Sequence, residues 1–240
     1  MKELTLTMPY EEDWQTKEAF KTLRTNLLFC GSDIRVVGVT SCTENEGKST
    51  VSMGLCTNLA QIGKRVILVD CDLRKSVLAS RYQIDGEIIG LSHYLSGQAE
   101  TRDVVYRTNI PGMDMILAGI VPPNPTELLG NPHFAQLVAE LRQKYDYVIL
   151  DTPPLGKVVD SAVIATVADG MALVVSANMV SRKFVERVIA QLERADAKVL
   201  GVIVNKVSRK ASRYGYGYGY GYGYGYGYGT ESGEHLSQDS

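Results

Sequence analysis

Apolar residues along the chain gather in two kinds of run. Short uninterrupted runs rich in β-branched side chains occupy 34–40, 66–69, 113–117, 147–150, 171–176 and 199–204. Continuous apolarity, as against strict alternation, marks strands covered on both faces of a parallel sheet. Helix-like segments separate most of these runs, so the pattern predicts an α/β fold: a doubly wound, mainly parallel sheet with helices on both faces. Its ligand site is expected at the carboxyl ends of the strands. Residues 11–30 read differently. Trp14, Phe20, Leu23, Leu27 and Leu28 fall at spacings of one helical stripe behind an acidic start, which predicts an N-terminal amphipathic helix.

From 214 to 229 the chain is eight Tyr-Gly dipeptides with no helical or strand-like contrast. Glycine at every second position raises the entropy cost of ordering, and nothing in the repeat offsets it by packing, so the segment is expected to be disordered. The domain reading is an N-terminal helix over 1–32, one folded domain over 33–210 and a flexible tyrosine-rich tail over 211–240. With 45% apolar and 22% charged residues in 240, the chain is long enough for one well-buried core. A net charge of −2 offers no basic excess for a nucleic-acid backbone, and no nucleic-acid partner is expected. No run approaches the length of a membrane-spanning helix, and residues 1–15 lack the basic and apolar parts of a signal peptide, so a cytoplasmic location is expected. Cys30, Cys42, Cys56 and Cys71 form no C-x-x-C pair and read as reduced small hydrophobes, while His93, His133 and His235 stand apart and suit surface or capping roles.

The strongest chemical signal is V-T-S-C-T-E-N-E-G-K-S-T over 39–50, between the first apolar run and a helix-like segment at 51–62. A phosphate-binding loop needs backbone N–H groups around a phosphate, a lysine reaching the terminal phosphates and a hydroxyl for Mg²⁺. Gly47, Lys48 and Ser49 supply the last three positions of that pattern, with Thr43, Glu44, Asn45, Glu46 and Thr50 completing the loop. The fold is then of the P-loop NTPase type. Cys42 stands where the generic pattern has glycine. Two further apolar runs end in acids, I-L-V-D-C-D at Asp70 and Asp72 and Y-V-I-L-D at Asp151. Mg²⁺ takes one or two carboxylates together with phosphate oxygens, which these strand ends beside the loop would provide. A lone strand-terminal aspartate is equally a cap or turn residue, so it is the combination that points to nucleotide chemistry.

After the last apolar run comes Asn205-Lys206-Val207-Ser208, where a guanine site of the N-K-x-D kind needs aspartate. Serine cannot act as a paired anionic acceptor, so ATP is favoured, with Asn205 placed as a base contact. Partition-type and Min-type ATPases carry a lysine four residues before the loop's last glycine; Thr43 stands there instead. Three function classes stay open on these residues: a tyrosine kinase acting on the tail, a partition-like or Min-like ATPase, and an inactive nucleotide-binding scaffold.

The motifs E-N-E-G-K-S-T (44–50), I-L-V-D-C-D-L-R (67–74), P-P-N-P-T-E-L-L (122–129) and Y-D-Y-V-I-L-D-T-P-P (145–154), followed by a tyrosine cluster, resemble the bacterial tyrosine kinases, in particular the CpsD/CapB-type kinases of capsule and exopolysaccharide systems. Asn45 departs from the glycine many members have there. The resemblance implies Lys48 and Ser49 as ligands of phosphate and Mg²⁺, Asp70 and Asp72 as the second Walker motif, and Asp151 as the Walker B acid. It implies Ser49, Asp70 and Asp151 at the metal, and Lys48, Asp70, Asp72 and Asp151 as the catalytic set, with Asp70 as base for the tyrosine hydroxyl. It further implies ATP and Mg²⁺ as cofactors and autophosphorylation in trans on Tyr214, Tyr216, Tyr218, Tyr220, Tyr222, Tyr224, Tyr226 and Tyr228. The expected partners are a ring-like homo-oligomer formed through E-A-F-K-T-L-R (18–24), a membrane-protein activator of the polysaccharide co-polymerase type, and other protein-tyrosine substrates. The activator would hold the kinase at the inner face of the membrane. Core packing is the competing reading of the 18–24 stripe.

Overall fold

The apolar runs become strands because each, apart from 199–204 at the sheet edge where Val202 and Val204 are exposed, alternates its side chains between two covered faces. The computed structural model describes residues 2–9 and 13–207. Its elements in chain order are β1 (Lys2–Leu4), α1 (Trp14–Phe29), β2 (Val36–Ser41), α2 (Lys48–Gln61), β3 (Val66–Asp70), α3 (Leu78–Arg81), α4 (Leu91–Leu95) and α5 (Thr101–Val104). There follow β4 (Tyr106–Thr108), β5 (Met113–Ile116), α6 (Pro125–Leu129), α7 (Pro132–Lys144), β6 (Tyr147–Asp151), α8 (Asp160–Ala165), β7 (Gly170–Ser176), α9 (Arg182–Arg194) and β8 (Val199–Asn205). Every residue of β2, β3, β6 and β7 is buried. In β3, Val66 and Leu68 pack on the face that carries α2, while Ile67 and Val69 enter the opposite cluster with Phe134 and Leu137 of α7. Period-two alternation with both faces apolar is what removes the polar positions from these strands.

The sheet order is β1-β4-β5-β3-β6-β2-β7-β8. All pairings are parallel except β4 with β5. The fold class expected from the sequence is therefore the one observed, with two short strands, β1 and β4, added at one edge. From β2 the chain moves past β6 to β3, and from β6 it later moves to β7 on the far side of β2. That reversal opens a crevice at the carboxyl ends of β2, β3 and β6.

Helix α1 corrects the expected stripe. Asp13 caps it by accepting the Thr16 N–H at 2.8 Å, and Phe20 and Leu27 are buried. Trp14, however, is 73% exposed and Leu28 lies on the outside. The buried line is narrower than five residues because α1 meets one neighbour, α2, where Gly54 leaves room for the Phe20 ring. Among the described residues no helix is long and apolar enough to cross a membrane. The Tyr-Gly repeat and His235 lie outside the described residues.

Candidate active site

The loop between β2 and α2 owes its shape to two residues with positive φ. Asn45 sits at φ 62° and Gly47 at φ 94°. Asparagine is one of the few side chains that tolerates the left-handed region, which accounts for its presence where glycine was the expected residue. Gly47 has no such latitude: a Cβ there would run into the Asn205 side-chain amide. The loop is held from inside by Glu46, whose carboxylate is fully buried. It accepts the Thr43 N–H at 2.7 Å and the Ser176 N–H at 3.3 Å. From β8, the Asn205 amide donates to the Glu46 carbonyl at 2.9 Å, and the Lys206 ammonium donates to the Asn45 carbonyl at 2.5 Å. Asn205, expected at the base, thus braces the loop. Cys42 explains its own departure from glycine: it is fully buried among Leu155, Leu173 and Val175. Burial, and secondarily Glu46, pushes its thiol up to about 11, so it serves as a small hydrophobe.

No side chain caps α2. Its first turn therefore presents N–H groups at the positive end of the helix dipole, the usual cradle for an anion. Lys48, Asp72 and Asp151 meet there. The Lys48 ammonium lies 3.2 Å from Asp72 and 3.8 Å from Asp151. Burial alone would lower the Lys48 pKa, but Asp151, Asp72 and Asp70 outweigh it and hold the ammonium above its ordinary value. Asp151 is fixed by Ser52, whose hydroxyl donates at 3.1 Å, and burial raises its carboxyl. Asp70 pairs in register with Asp151 across β3 and β6. Burial first, and Asp151 next, push the Asp70 carboxyl up to about 7, against the Ser76 hydroxyl at 2.5 Å and the Asp72 N–H at 3.1 Å.

All four residues of the expected catalytic set stand at the strand ends, with Lys48 in contact with two of the three acids. Ser49 is the second residue of α2, beside them, and its hydroxyl bonds Asp151. Among the described residues no group of three or more His, Cys, Asp or Glu side chains could hold a metal ion by itself. The cleft in front of this cluster is lined in part by Glu44, Asn45, Gly47 and Lys48.

Several residues in and around the cleft were given no individual role by the sequence. Arg74 forms a two-point ion pair with Asp160 at 2.7 and 3.1 Å and donates to the Thr126 hydroxyl at 2.9 Å. Asp160 is fully buried and also accepts Thr126 at 2.6 Å. This knot joins the 67–74 and 122–129 motifs. Burial alone would raise the Asp160 carboxyl, but Arg74 and Thr126 hold it below the usual range. Lys75 and Lys157 both reach Glu44, each at 3.2 Å, across the cleft mouth. Away from the site, His93 accepts the Gly90 N–H at 3.1 Å, a capping role. In the 18–24 segment Glu18 and Lys21 pair at the surface, while Arg24 donates to the Asn58 carbonyl at 3.3 Å.

The family model described as an AAA domain matches residues 35–202. The tyrosine-protein kinase CpsD of Streptococcus agalactiae serotype Ia is 43% identical over 201 residues, covering 84% of this chain and 87% of the relative. The tyrosine-protein kinase YwqD of Bacillus subtilis is 36% identical over 201 residues, covering 82% and 84%. Among solved structures, the kinase domain of Escherichia coli tyrosine kinase ETK superposes with a TM-score of 0.78 at 35% identity, over 85% of this chain and 81% of that one.

Proposed function

The chain belongs to the bacterial tyrosine-protein kinases, and from that premise we propose that it uses Mg-ATP to phosphorylate its own C-terminal tyrosines in trans and thereby regulates capsular or exopolysaccharide synthesis and export. The observation that carries this reading is the meeting of Lys48 with Asp72 and Asp151 in front of an uncapped α2. That donor set fits a magnesium-bound triphosphate: free N–H groups and an ammonium for phosphate oxygens, a serine hydroxyl and carboxylates for a hard cation.

Lys48 would bind the terminal phosphates, kept charged by its three acidic neighbours. Ser49 with Asp70 and Asp151 would hold Mg²⁺, which supplies positive charge to the phosphate oxygens. The acceptor phenol has a pKa near 10 and arrives neutral. Its oxygen bonds to the terminal phosphorus, the bond to the ADP oxygen breaks, and the phenolic proton passes to Asp70. In the cation-free site, burial and then Asp151 raise the affinity of the Asp70 carboxyl for a proton.

Eight tyrosines on a glycine chain of 16 residues reach roughly 20 Å from their anchor, at about 5–6 Å × √n. That range suits the active site of a neighbouring subunit, and tethering raises the local concentration of acceptor to about the millimolar level. A ring formed through 18–24 would supply such neighbours. Phosphate, at up to about −2 per site, would then repel the tail from the acidic site and loosen the ring. A membrane-protein activator would bring the kinase to the inner face of the membrane, and other protein tyrosines are further substrates. The experiment is incubation of the purified chain with Mg-ATP followed by mass spectrometry. Phosphate on Tyr214 to Tyr228 that Lys48→Met abolishes is the expected result; a wild-type tail left unmodified overturns the assignment.

A further inference from the structure

Five cations line the cleft: Lys48, Arg74, Lys75, Arg81 and Lys157. Four of them have carboxylate partners. Lys48 has Asp72 and Asp151, Arg74 has Asp160, and Lys75 and Lys157 share Glu44. Arg81 has no acidic partner among the described residues. Its guanidinium donates to the Thr50 hydroxyl, a neutral acceptor.

Thr50 is the third residue of α2, so a half-buried, permanently charged side chain is held against the positive end of an uncapped helix. A guanidinium beside the positive end of a helix is repelled by it, and a phosphate oxygen seated against both would turn that repulsion into attraction. The position narrows the choice of anion. Thr50 follows Lys48 and Ser49 in the first turn of α2, and Arg81 lines the same cleft as those two residues, while Lys75 and Lys157 are taken up by Glu44.

We propose that Arg81 is a phosphate ligand of the bound nucleotide, its guanidinium passing from the Thr50 hydroxyl to a phosphate oxygen seated against the first turn of α2. This rests on the nucleotide reading above and adds a binding residue to it. It also gives a role to α3, a helix of four residues whose last residue is Arg81.

Calorimetric titration of the full chain with Mg-ADP and with Mg-pyrophosphate, in the absence of any acceptor peptide, tests the idea. Arg81→Ala should weaken both ligands by about ten- to hundredfold, the range of a charge-assisted hydrogen bond, and Arg81→Lys should recover part of the loss. The thermal midpoint without ligand should hold or rise in Arg81→Ala, since an unpaired cation leaves a helix N-terminus. A falling midpoint with unchanged affinities would make Arg81 a mere brace for α3 and overturn the proposal. Weaker ADP with unchanged pyrophosphate would move the contact to the nucleoside and overturn it equally. If both affinities stay unchanged in Arg81→Ala while a separate titration with a phosphotyrosine peptide weakens, the anion is phosphotyrosine and the proposal falls. A wild-type chain that binds neither ligand sinks the nucleotide reading itself, a result distinct from the loss of Arg81 alone.

Discussion

Asp70→Asn separates the stability of the empty site from its activity. The Asp70 carboxyl is pushed from 3.8 to about 7 by burial and by Asp151. At about 1.36 kcal/mol per pH unit, such a displacement means an ionisation cost of order 4 kcal/mol once the group is charged in the fold. The sign follows from proton binding. The folded state keeps the proton to higher pH than the unfolded chain, so this group's contribution to stability falls as pH rises from about 4 to about 7 and stays low above that. Asparagine keeps the shape and can still accept the Asp72 N–H and donate to Ser76, but never ionises. Relative to wild type, Asp70→Asn should therefore gain about 1–2 kcal/mol at pH 5 and about 4 at pH 8, a difference of a few kcal/mol. Urea unfolding of both proteins at the two pH values, with EDTA and without nucleotide, measures it. Adding Mg²⁺ should shrink the gap at pH 8, because a bound cation offsets the carboxylate that the variant lacks. Tyrosine phosphorylation by the variant should be lost throughout. Equal gains at pH 5 and pH 8, or a loss at pH 8, would refute the reasoning.

Two substitutions probe the loop that presents α2. Gly47→Ala forces a methyl group into the Asn205 amide at a backbone angle alanine avoids; Mg-ADP titration should show binding lost, and an affinity within threefold of wild type would contradict it. Glu46→Gln places an amide N–H against one of the two backbone donors that the carboxylate satisfies, which should cost about 1–3 kcal/mol in denaturant unfolding and weaken nucleotide binding in parallel.

The parts of this molecule legible in its sequence are those where one short segment contains its own reason. The buried strands are such segments, since covering both faces dictates apolar residues at every position. So is the loop from Thr43 to Thr50, because glycine, lysine and hydroxyl act within a few residues of one another. Strands β1 and β4 are not. Lys-Glu-Leu and Tyr-Arg-Thr hold no apolar run, and each is a strand because a partner more than a hundred residues away pairs with it or because an antiparallel neighbour follows. The stripe on α1 is narrower than its spacing predicts for a related reason: spacing shows that Trp14 and Leu28 share a side with Phe20, but only the position of α2 decides how much of that side is covered.

The cleft's outer residues are the extreme case. Asp160 follows two valines and looks like a helix start, yet it is the buried anion that holds Arg74 from the segment after β3 and Thr126 from α6. Charge pairing of this kind depends on which loops the sheet order brings together, and β3, β6 and β2 are adjacent only because the chain reverses direction at β2. Arg81 is the sharpest instance: that it has no carboxylate partner among the described residues becomes visible only after the other four cations of the cleft have been matched to theirs. The proposed phosphate contact rests on that contrast: among the described residues every other lysine and arginine of the cleft has a carboxylate, and Arg81, beside the start of α2, has a hydroxyl.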